Sequence, residues 1–201
     1  MHILHLMNLT NDLHFCKIQT LIPIDNISEK LQQLKDIYGN YNKINRQYTC
    51  FQHANLTVRI DEDPDADDDV HTIVTLGELK RAHQEGVTIQ HALRSQVHGN
   101  IHKFISLMGQ QPTMTWIERG YQFNYETISI KIFEVLTYEK RPIDSLHFAV
   151  SIEGFAQISQ QETNNICQQI FTNYNTLFGS IQPFIPTQFI QIGRASCRER
   201  V

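Results

Sequence analysis

The sequence predicts an α+β protein whose multi-stranded antiparallel sheet closes, partly or fully, into a β-barrel with flanking helices. About eight segments show the period-two alternation of strands, and they follow one another without the strand–helix–strand alternation of parallel sheets. Only two long stretches carry strong helical periodicity. Because 201 residues without an internal repeat suffice for one hydrophobic core, we expect a single barrel domain over residues 1–190.

Two helices are predicted from the spacing of apolar residues and from capping signals. The first covers residues 26–38 and begins at Asn26, a good capping residue. The second begins at Ser159, which forms an S-x-x-E capping box with Glu162, and ends at Phe178. Both carry one apolar stripe, so each is expected to pack against the sheet.

The remaining apolar segments predict strands joined by short connections. These strands are residues 3–9, 47–52, 55–60, 70–76, 114–119, 121–126, 127–136 and 145–154. The stretch 77–99 is polar and irregular, which predicts a loop with a helical turn. A short amphipathic helix is predicted over residues 100–108.

The strand YETISIKIFEVL, residues 125–136, carries a lysine and a glutamate that invite comparison with a catalytic pair. Successive side chains of a strand point to opposite faces, so Lys131 and Glu134 do not serve one reacting centre. The face that carries three isoleucines predicts core packing, with Glu134 near its end where it can reach water. We therefore expect this strand to be structural.

The formal net charge is −4. Residues 193–201 carry three arginines and one glutamate and resemble read-through of a cloning vector, so we exclude them as a vector-derived tail. Without them the net charge is −6. A mildly acidic protein is not expected to bind nucleic acid directly, because phosphate binding favours a basic face. No apolar run approaches the roughly 20 residues of a membrane span, so no membrane partner is expected.

The acidic run at residues 61–69 has seven carboxylates in nine residues. An EF-hand calcium loop is one interpretation, but Ala66 stands where that loop needs glycine and Thr72 where it needs glutamate. Pro64 restricts the backbone in the middle of this acidic run. Such a block of like charge is normally solvated, so we expect a mobile acidic loop rather than a metal site.

The sequence contains no recognisable catalytic motif. His98 and His102 are four residues apart but lack the glutamate of H-E-x-x-H, and no third ligand follows by spacing. Cys16, Cys50 and Cys167 show no C-x-x-C spacing, which favours reduced thiols used for packing. We expect no catalytic residue, no metal and no cofactor.

Aromatic residues on the predicted strands are the candidate partner-binding residues. They are Trp116, Tyr121, Phe123, Tyr125 and Phe133. Tyr121, Phe123 and Tyr125 share one strand face, for which two interpretations remain open: core packing, or an aromatic strip that faces a partner.

From Val70 onward the order of segments resembles the Mediator complex subunit 18 family. The segments are TIVTLG, the turn HALRS, the helix HKFISLMG, WIERGYQFNYETISIKIFEVL, the strand LHFAVSIEG and the amphipathic final helix. RGYQF followed by IKIFEVL is the most specific part, and the earlier strand NLTVRI, with Arg59 embedded, also resembles the family. The resemblance covers most of the chain.

The resemblance implies a scaffold protein of the nucleus. The family fold is a β-barrel with flanking helices, related to the barrel of triphosphate tunnel enzymes. Its members pair with a second barrel, Mediator subunit 20, and with a C-terminal helix of subunit 8, in the head module that links transcription regulators to RNA polymerase II. No cofactor is implied.

The related enzymes suggest an alternative, a metal-dependent triphosphatase. That activity needs carboxylates two residues apart on one strand face, written E-x-E-x-K, and several inward basic residues. The sequence lacks the motif, and Arg59 and Lys131 are interpreted as isolated basic residues on strands. We therefore expect a protein that is not an enzyme.

Overall fold

The computed structural model describes residues 5–53, 56–63, 70–107, 109–179 and 181–183. Within them lie eight strands: β1 His5–Pro23, β2 Asn42–His53, β3 Leu56–Glu62, β4 Val70–Arg81, β5 Thr88–His98, β6 Met114–Tyr125, β7 Ile128–Leu136 and β8 His147–Gln157. Three α-helices accompany them: α1 Ile27–Tyr38, α2 Ile101–Leu107 and α3 Gln160–Phe178. The acidic residues 64–69 and the terminal residues 184–201 lie outside the described part of the chain.

The eight strands form a closed antiparallel barrel in the order β1-β5-β4-β3-β2-β6-β7-β8. Closure is made by β1, which pairs with β5 along one side and with β8 along the other. Every strand therefore has two hydrogen-bonded neighbours, which removes the exposed edges of an open sheet. The predicted fold class is confirmed.

The main hydrophobic core lies outside the barrel wall, under α1 and α3. Ile128, Ile130 and Ile132 of β7 are buried there together with Ile166 and Ile170 of α3. Alternation along the strand places Lys131 on the opposite, inner face. The prediction that the isoleucine face is a core face is confirmed.

The two long helices begin in different ways. The hydroxyl of Ser159 accepts a hydrogen bond from the backbone N–H of Glu162, so the predicted capping box opens α3. The side chain of Asn26 makes no capping hydrogen bond, because a 3-10 turn over Ile24–Asn26 leads directly into α1. Gly39 ends α1 with a positive φ of 81°.

The stretch 77–99 is not a loop, and that prediction was wrong. It forms the second half of β4, a turn and the whole of β5. In β5 only three widely spaced residues, Thr88, Ala92 and Val97, are fully buried. So sparse an apolar pattern does not identify a strand locally, whereas pairing with β1 and β4 satisfies its backbone.

The acidic run begins inside the sheet. Asp61 and Glu62 are the last residues of β3 and pair with β2, so the expected loop boundary at residue 61 is corrected to residue 63. None of the helices in the described part of the chain has the length and apolar character that crossing a membrane requires.

Candidate functional site

The inner face of the barrel carries charged side chains contributed by separate strands. Lys17 of β1 lies directly across from Glu153 of β8, and Glu153 lies directly across from Ser129 of β7. Lys131 forms an ion pair with Glu153, and the two side chains are 12% and 13% exposed. The carboxylate of Glu153 thus lies between two lysines on the neighbouring strands.

A second ion pair lies on β3. Arg59 and Asp61 are two residues apart, so both point to the inner face. The guanidinium donates from Nε to Oδ1 at 2.6 Å and from Nη2 to Oδ2 at 2.9 Å, which is a bidentate arrangement. The same guanidinium lies 4.9 Å from the ring centroid of Tyr48 on β2. Two strands therefore hold Arg59 in one orientation.

The interior charges shift one another's pKa. Burial alone raises the pKa of Glu153, but the charges of Lys131 and Lys17 outweigh it and hold the pKa at about 2. For Arg59, burial lowers the pKa, yet the charge and hydrogen bonds of Asp61 reverse this and raise it. Burial lowers the pKa of Lys17. Glu153 and Arg59 are consequently charged at neutral pH.

The two ion pairs, Arg59 with Asp61 and Lys131 with Glu153, line a cavity of about 300 Å³ inside the barrel, which we call the barrel cavity. Its rim includes Glu126 and Thr127 of the β6–β7 turn, together with Arg46 and Arg94, whose side chains are exposed. Phe15 and Phe155 form an apolar part of its wall, with ring centroids 4.9 Å apart. The barrel cavity therefore combines a charged interior with access to solvent.

An apolar layer of side chains also lies on the inner face. One cross-strand row runs through Ile44, Gly120, Phe133, Ala149 and Leu21. Gly120 is required in this row because a Cβ there would overlap the carbonyl oxygen of Ile132 and lie 2.6 Å from the Cα of Phe133. The missing side chain lets the two strands hold Phe133 in the layer.

The inner face does not offer the carboxylate arrangement that a divalent cation needs. Two lysines point inward, and the positions two and four residues before them are Phe15 and Leu13 for Lys17, and Ser129 and Thr127 for Lys131. Neither lysine completes E-x-E-x-K. Across the described residues, no group of three histidine, cysteine or acidic side chains is arranged to hold a metal ion.

The interpretation of Arg59 and Lys131 as isolated basic residues was wrong. Both line the barrel cavity, and the charge of each acts on Glu153. They lie on β3 and β7, which are separated in the barrel by β2 and β6. One signal was available in the sequence: Arg59 and Asp61 share a strand face, which is unusual for a strand buried on both sides.

The five candidate partner-binding residues lie in different environments of the barrel. Phe123 is 0% exposed and Phe133 is 2% exposed, so both belong to the core and neither is accessible to a partner. Trp116 lies on the inner face, stacked on Tyr48, and donates from Nε1 to Glu118 at 3.2 Å. The core interpretation therefore holds for Phe123, and the assignment of Phe123 and Phe133 to a partner surface is corrected.

Tyr121 and Tyr125 belong to a partly exposed aromatic cluster on the outer wall, in which Tyr38 and Tyr121 also pack against the main core. Tyr38 packs edge-to-face on Tyr125 at 5.2 Å, and Tyr41 packs on Tyr121 at 4.8 Å. Tyr125 is 44% exposed. We call these four tyrosines the aromatic patch.

The histidines and cysteines form two smaller clusters. Oε1 of Glu62 contacts Nε2 of His102 at 2.8 Å and Nδ1 of His71 at 3.1 Å, so His102 pairs with an acid on β3 rather than with His98. The thiols of Cys16 and Cys167 contact each other where α3 packs on β1. Both cysteines, like Cys50, are buried and free.

No protein-family model matches the sequence, and no curated protein matches it. Solved structures do match the fold. A chain of the Schizosaccharomyces pombe Mediator head module has a TM-score of 0.72 at 9% identity, covering 85% of this chain and 97% of that chain. At this level of identity the likeness shows that the two chains share a fold.

Two further structures carry the same barrel. The PH1819 protein from Pyrococcus horikoshii OT3 has a TM-score of 0.59 at 12% identity, covering 82% of this chain and 90% of that chain. The Mimivirus capping enzyme triphosphatase has a TM-score of 0.55 at 12% identity, covering 84% of this chain and 89% of that chain. The fold is therefore related to the tunnel type of barrel, as expected.

Proposed function

We propose that this chain is a non-enzymatic scaffold subunit of the Mediator head module. The observation that carries the proposal is the likeness to a Mediator head module chain, which extends over 97% of that chain at a TM-score of 0.72. A barrel matched over almost its full length supports a shared architectural role. In that role the chain acts in the nucleus and links transcription regulators to RNA polymerase II.

The partners that we propose are a second barrel protein, Mediator subunit 20, and a C-terminal helix of subunit 8. Docking of a helix or a second sheet requires apolar and aromatic surface on the outside of the barrel. The aromatic patch offers such a surface, because Tyr121 and Tyr125 lie on the outer wall and Tyr125 is largely accessible. We therefore assign partner contact to Tyr121 and Tyr125.

The barrel interior supports a role without catalysis. Asp61 and Glu153, two enclosed carboxylates of the inner face, are each engaged by a basic side chain of the same chain. Phe15 and Ser129 stand two residues before the inward lysines, where a metal-dependent barrel hydrolase needs carboxylates. These two interior carboxylates therefore have their counter-charges within the chain.

A metal-dependent triphosphatase is the second candidate function. Two observations favour it: the basic side chains on the inner face, and the likeness to the Mimivirus capping enzyme triphosphatase at a TM-score of 0.55. The donor set does not fit a divalent cation, since the inward carboxylates lie on different strands and two of them, Asp61 and Glu153, are already paired with basic side chains. No catalytic step through a metal follows from these residues.

Two measurements test the proposed function. The purified chain should co-precipitate Mediator proteins from nuclear extract, as identified by mass spectrometry, and its melting temperature should rise on co-expression with a second barrel subunit. It should release no phosphate from tripolyphosphate or ATP with Mn²⁺ or Mg²⁺. Turnover with either metal, or equal melting temperatures with and without partners, would contradict the proposal.

A further inference from the structure

The barrel cavity has more positive than negative side chains in its lining. The basic residues are Arg46, Arg59, Arg94 and Lys131, and the acidic residues are Asp61, Glu126 and Glu153. The whole chain, in contrast, has a net charge of −4. The cavity lining therefore carries one more positive than negative side chain although the chain is acidic, and low-dielectric walls strengthen the effect of such charges on an entering ligand.

Two of these basic groups are neutralised inside the cavity and two are not. Arg59 pairs with Asp61, and Lys131 pairs with Glu153. Arg46 and Arg94 line the same cavity, and neither forms an ion pair with any residue in the described part of the chain.

The guanidinium of Arg94 lies 5.8 Å from the ring centroid of Phe155. A planar guanidinium packed against an aromatic wall keeps its N–H donors available, and its fork matches the oxygens of a carboxylate or phosphate.

Ser129 provides independent evidence for a ligand, because its hydroxyl group has no hydrogen-bond partner among the described residues. Its hydroxyl oxygen is shielded from solvent and lacks a hydrogen-bond partner, alone among the buried side-chain polar atoms of the described residues. Ser129 lines the barrel cavity and lies across from Asn124 and Glu153. Buried hydroxyl groups are normally hydrogen-bonded, so an unsatisfied one on a residue that lines a cavity points to a ligand.

We propose that the barrel cavity binds an oxyanion, the carboxylate or phosphate group of a ligand, through Arg46, Arg94 and the hydroxyl of Ser129. Arg46 and Arg94 are exposed and line the cavity, so a ligand can reach both guanidinium groups from solvent. The site needs no metal ion, because guanidinium and hydroxyl donors match oxyanion acceptors directly. The proposal does not depend on the proposed function, and it holds for a protein with no catalytic activity.

Isothermal titration calorimetry of the full chain with three probes tests this proposal. Citrate carries free carboxylates, pyrophosphate carries free phosphates, and a tetraglutamate peptide carries carboxylates on a polypeptide. We expect saturable binding of at least one probe that weakens as salt is added. Which probe binds most tightly distinguishes a small-molecule source of the anion from an acidic polypeptide.

Variants locate the binding in the cavity. Arg94→Gln and Arg46→Gln should each weaken binding about tenfold, the loss expected for one charge-assisted hydrogen bond. Arg119→Gln is the matched control, because Arg119 pairs with Glu134 on the outer wall of the barrel, and it should bind as the unmodified chain does. Circular dichroism checks that each variant is folded.

Ser129→Ala separates ligand binding from folding. It should weaken binding while leaving the melting temperature unchanged or higher, since it removes an unsatisfied buried hydroxyl. Absence of saturable binding for all three probes would overturn the proposal. So would unaltered affinity in both Arg46→Gln and Arg94→Gln. These outcomes are independent of whether the chain co-precipitates Mediator proteins, so the two proposals can fail separately.

Discussion

Lys131 and Glu153 form an ion pair across neighbouring strands inside the barrel, and Lys17 faces the same carboxylate from the other side. The pair is enclosed, so each charge depends on its partner for compensation. The outer wall offers a contrast, because Arg119 and Glu134 pair at 2.9 Å with side chains 56% and 27% exposed. The two ion pairs should therefore differ strongly in their effect on stability.

Glu153→Gln should lower the free energy of unfolding by about 3–5 kcal/mol, because it leaves two enclosed lysines without a counter-charge. Lys131→Met should lower it by less, since Lys17 still faces the carboxylate. Arg119→Gln should change it by less than about 1 kcal/mol. Urea unfolding of the three variants measures these differences, and equal losses for Glu153→Gln and Arg119→Gln would contradict the expected role of enclosure.

Stability should fall in acid partly because of Glu153. Its pKa is about 2 in the folded protein, against an ordinary value of 4.5. A depressed folded-state pKa stabilises the protein above the unfolded-state pKa, and this contribution is lost as the pH falls toward 2. The difference in pKa corresponds to about 3 kcal/mol.

The measurement for this pH dependence is the unfolding free energy of the unmodified chain and of Glu153→Gln, from about pH 6 down to about pH 3. The stability advantage of the unmodified chain should shrink across that range. An advantage that stays constant with pH would show that Glu153 is not the titrating group.

Gly120→Ala should destabilise the barrel by more than an ordinary overpacking change of about 1–3 kcal/mol. The added Cβ would overlap the carbonyl oxygen of Ile132, which is backbone and cannot rotate away. Gly77→Ala, on strand β4, is the matched control, because its nearest contact is Cβ of His91 at 3.5 Å. Thermal melts compare the two, and similar melting temperatures would count against close strand packing at Gly120.

Phe123→Ala and Tyr125→Ala should have opposite consequences although the two residues are neighbours on one strand face. Phe123 is wholly buried, so its truncation should cost about 3–5 kcal/mol of stability. Tyr125 is 44% exposed, so its truncation should leave the melting temperature nearly unchanged while weakening partner binding. Circular-dichroism melts beside pull-downs from nuclear extract measure both effects, and unimpaired pull-down by Tyr125→Ala would remove the aromatic patch from the partner interface.

Several features could be predicted from the residues because their signals are local. Ser159 and Glu162 are three residues apart and cap α3 as expected. The alternation in Ile128–Leu136 correctly assigned three isoleucines to a core face and separated Lys131 from Glu134. Hydrophobic periodicity and capping depend only on residues close together in the sequence, so the folded structure retains them.

Other features could not be predicted because they depend on which strands pair with each other in the sheet. Residues 88–98 carry too few buried apolar side chains to identify a strand, and they pair with β1 across the three intervening strands of the chain. A period-two pattern also does not say which face points into a closed barrel. For this reason Arg59 and Lys131 looked isolated, although closure turns both toward Glu153.

The residues alone therefore establish an antiparallel barrel with flanking helices, because alternation and capping act over a few neighbours. Closure of that barrel places Lys17, Arg59, Lys131 and Glu153 in one enclosed space and leaves Tyr125 on the outer wall. These placements arise from pairing between strands far apart in the chain, and electrostatic interactions depend on distance in space rather than in sequence.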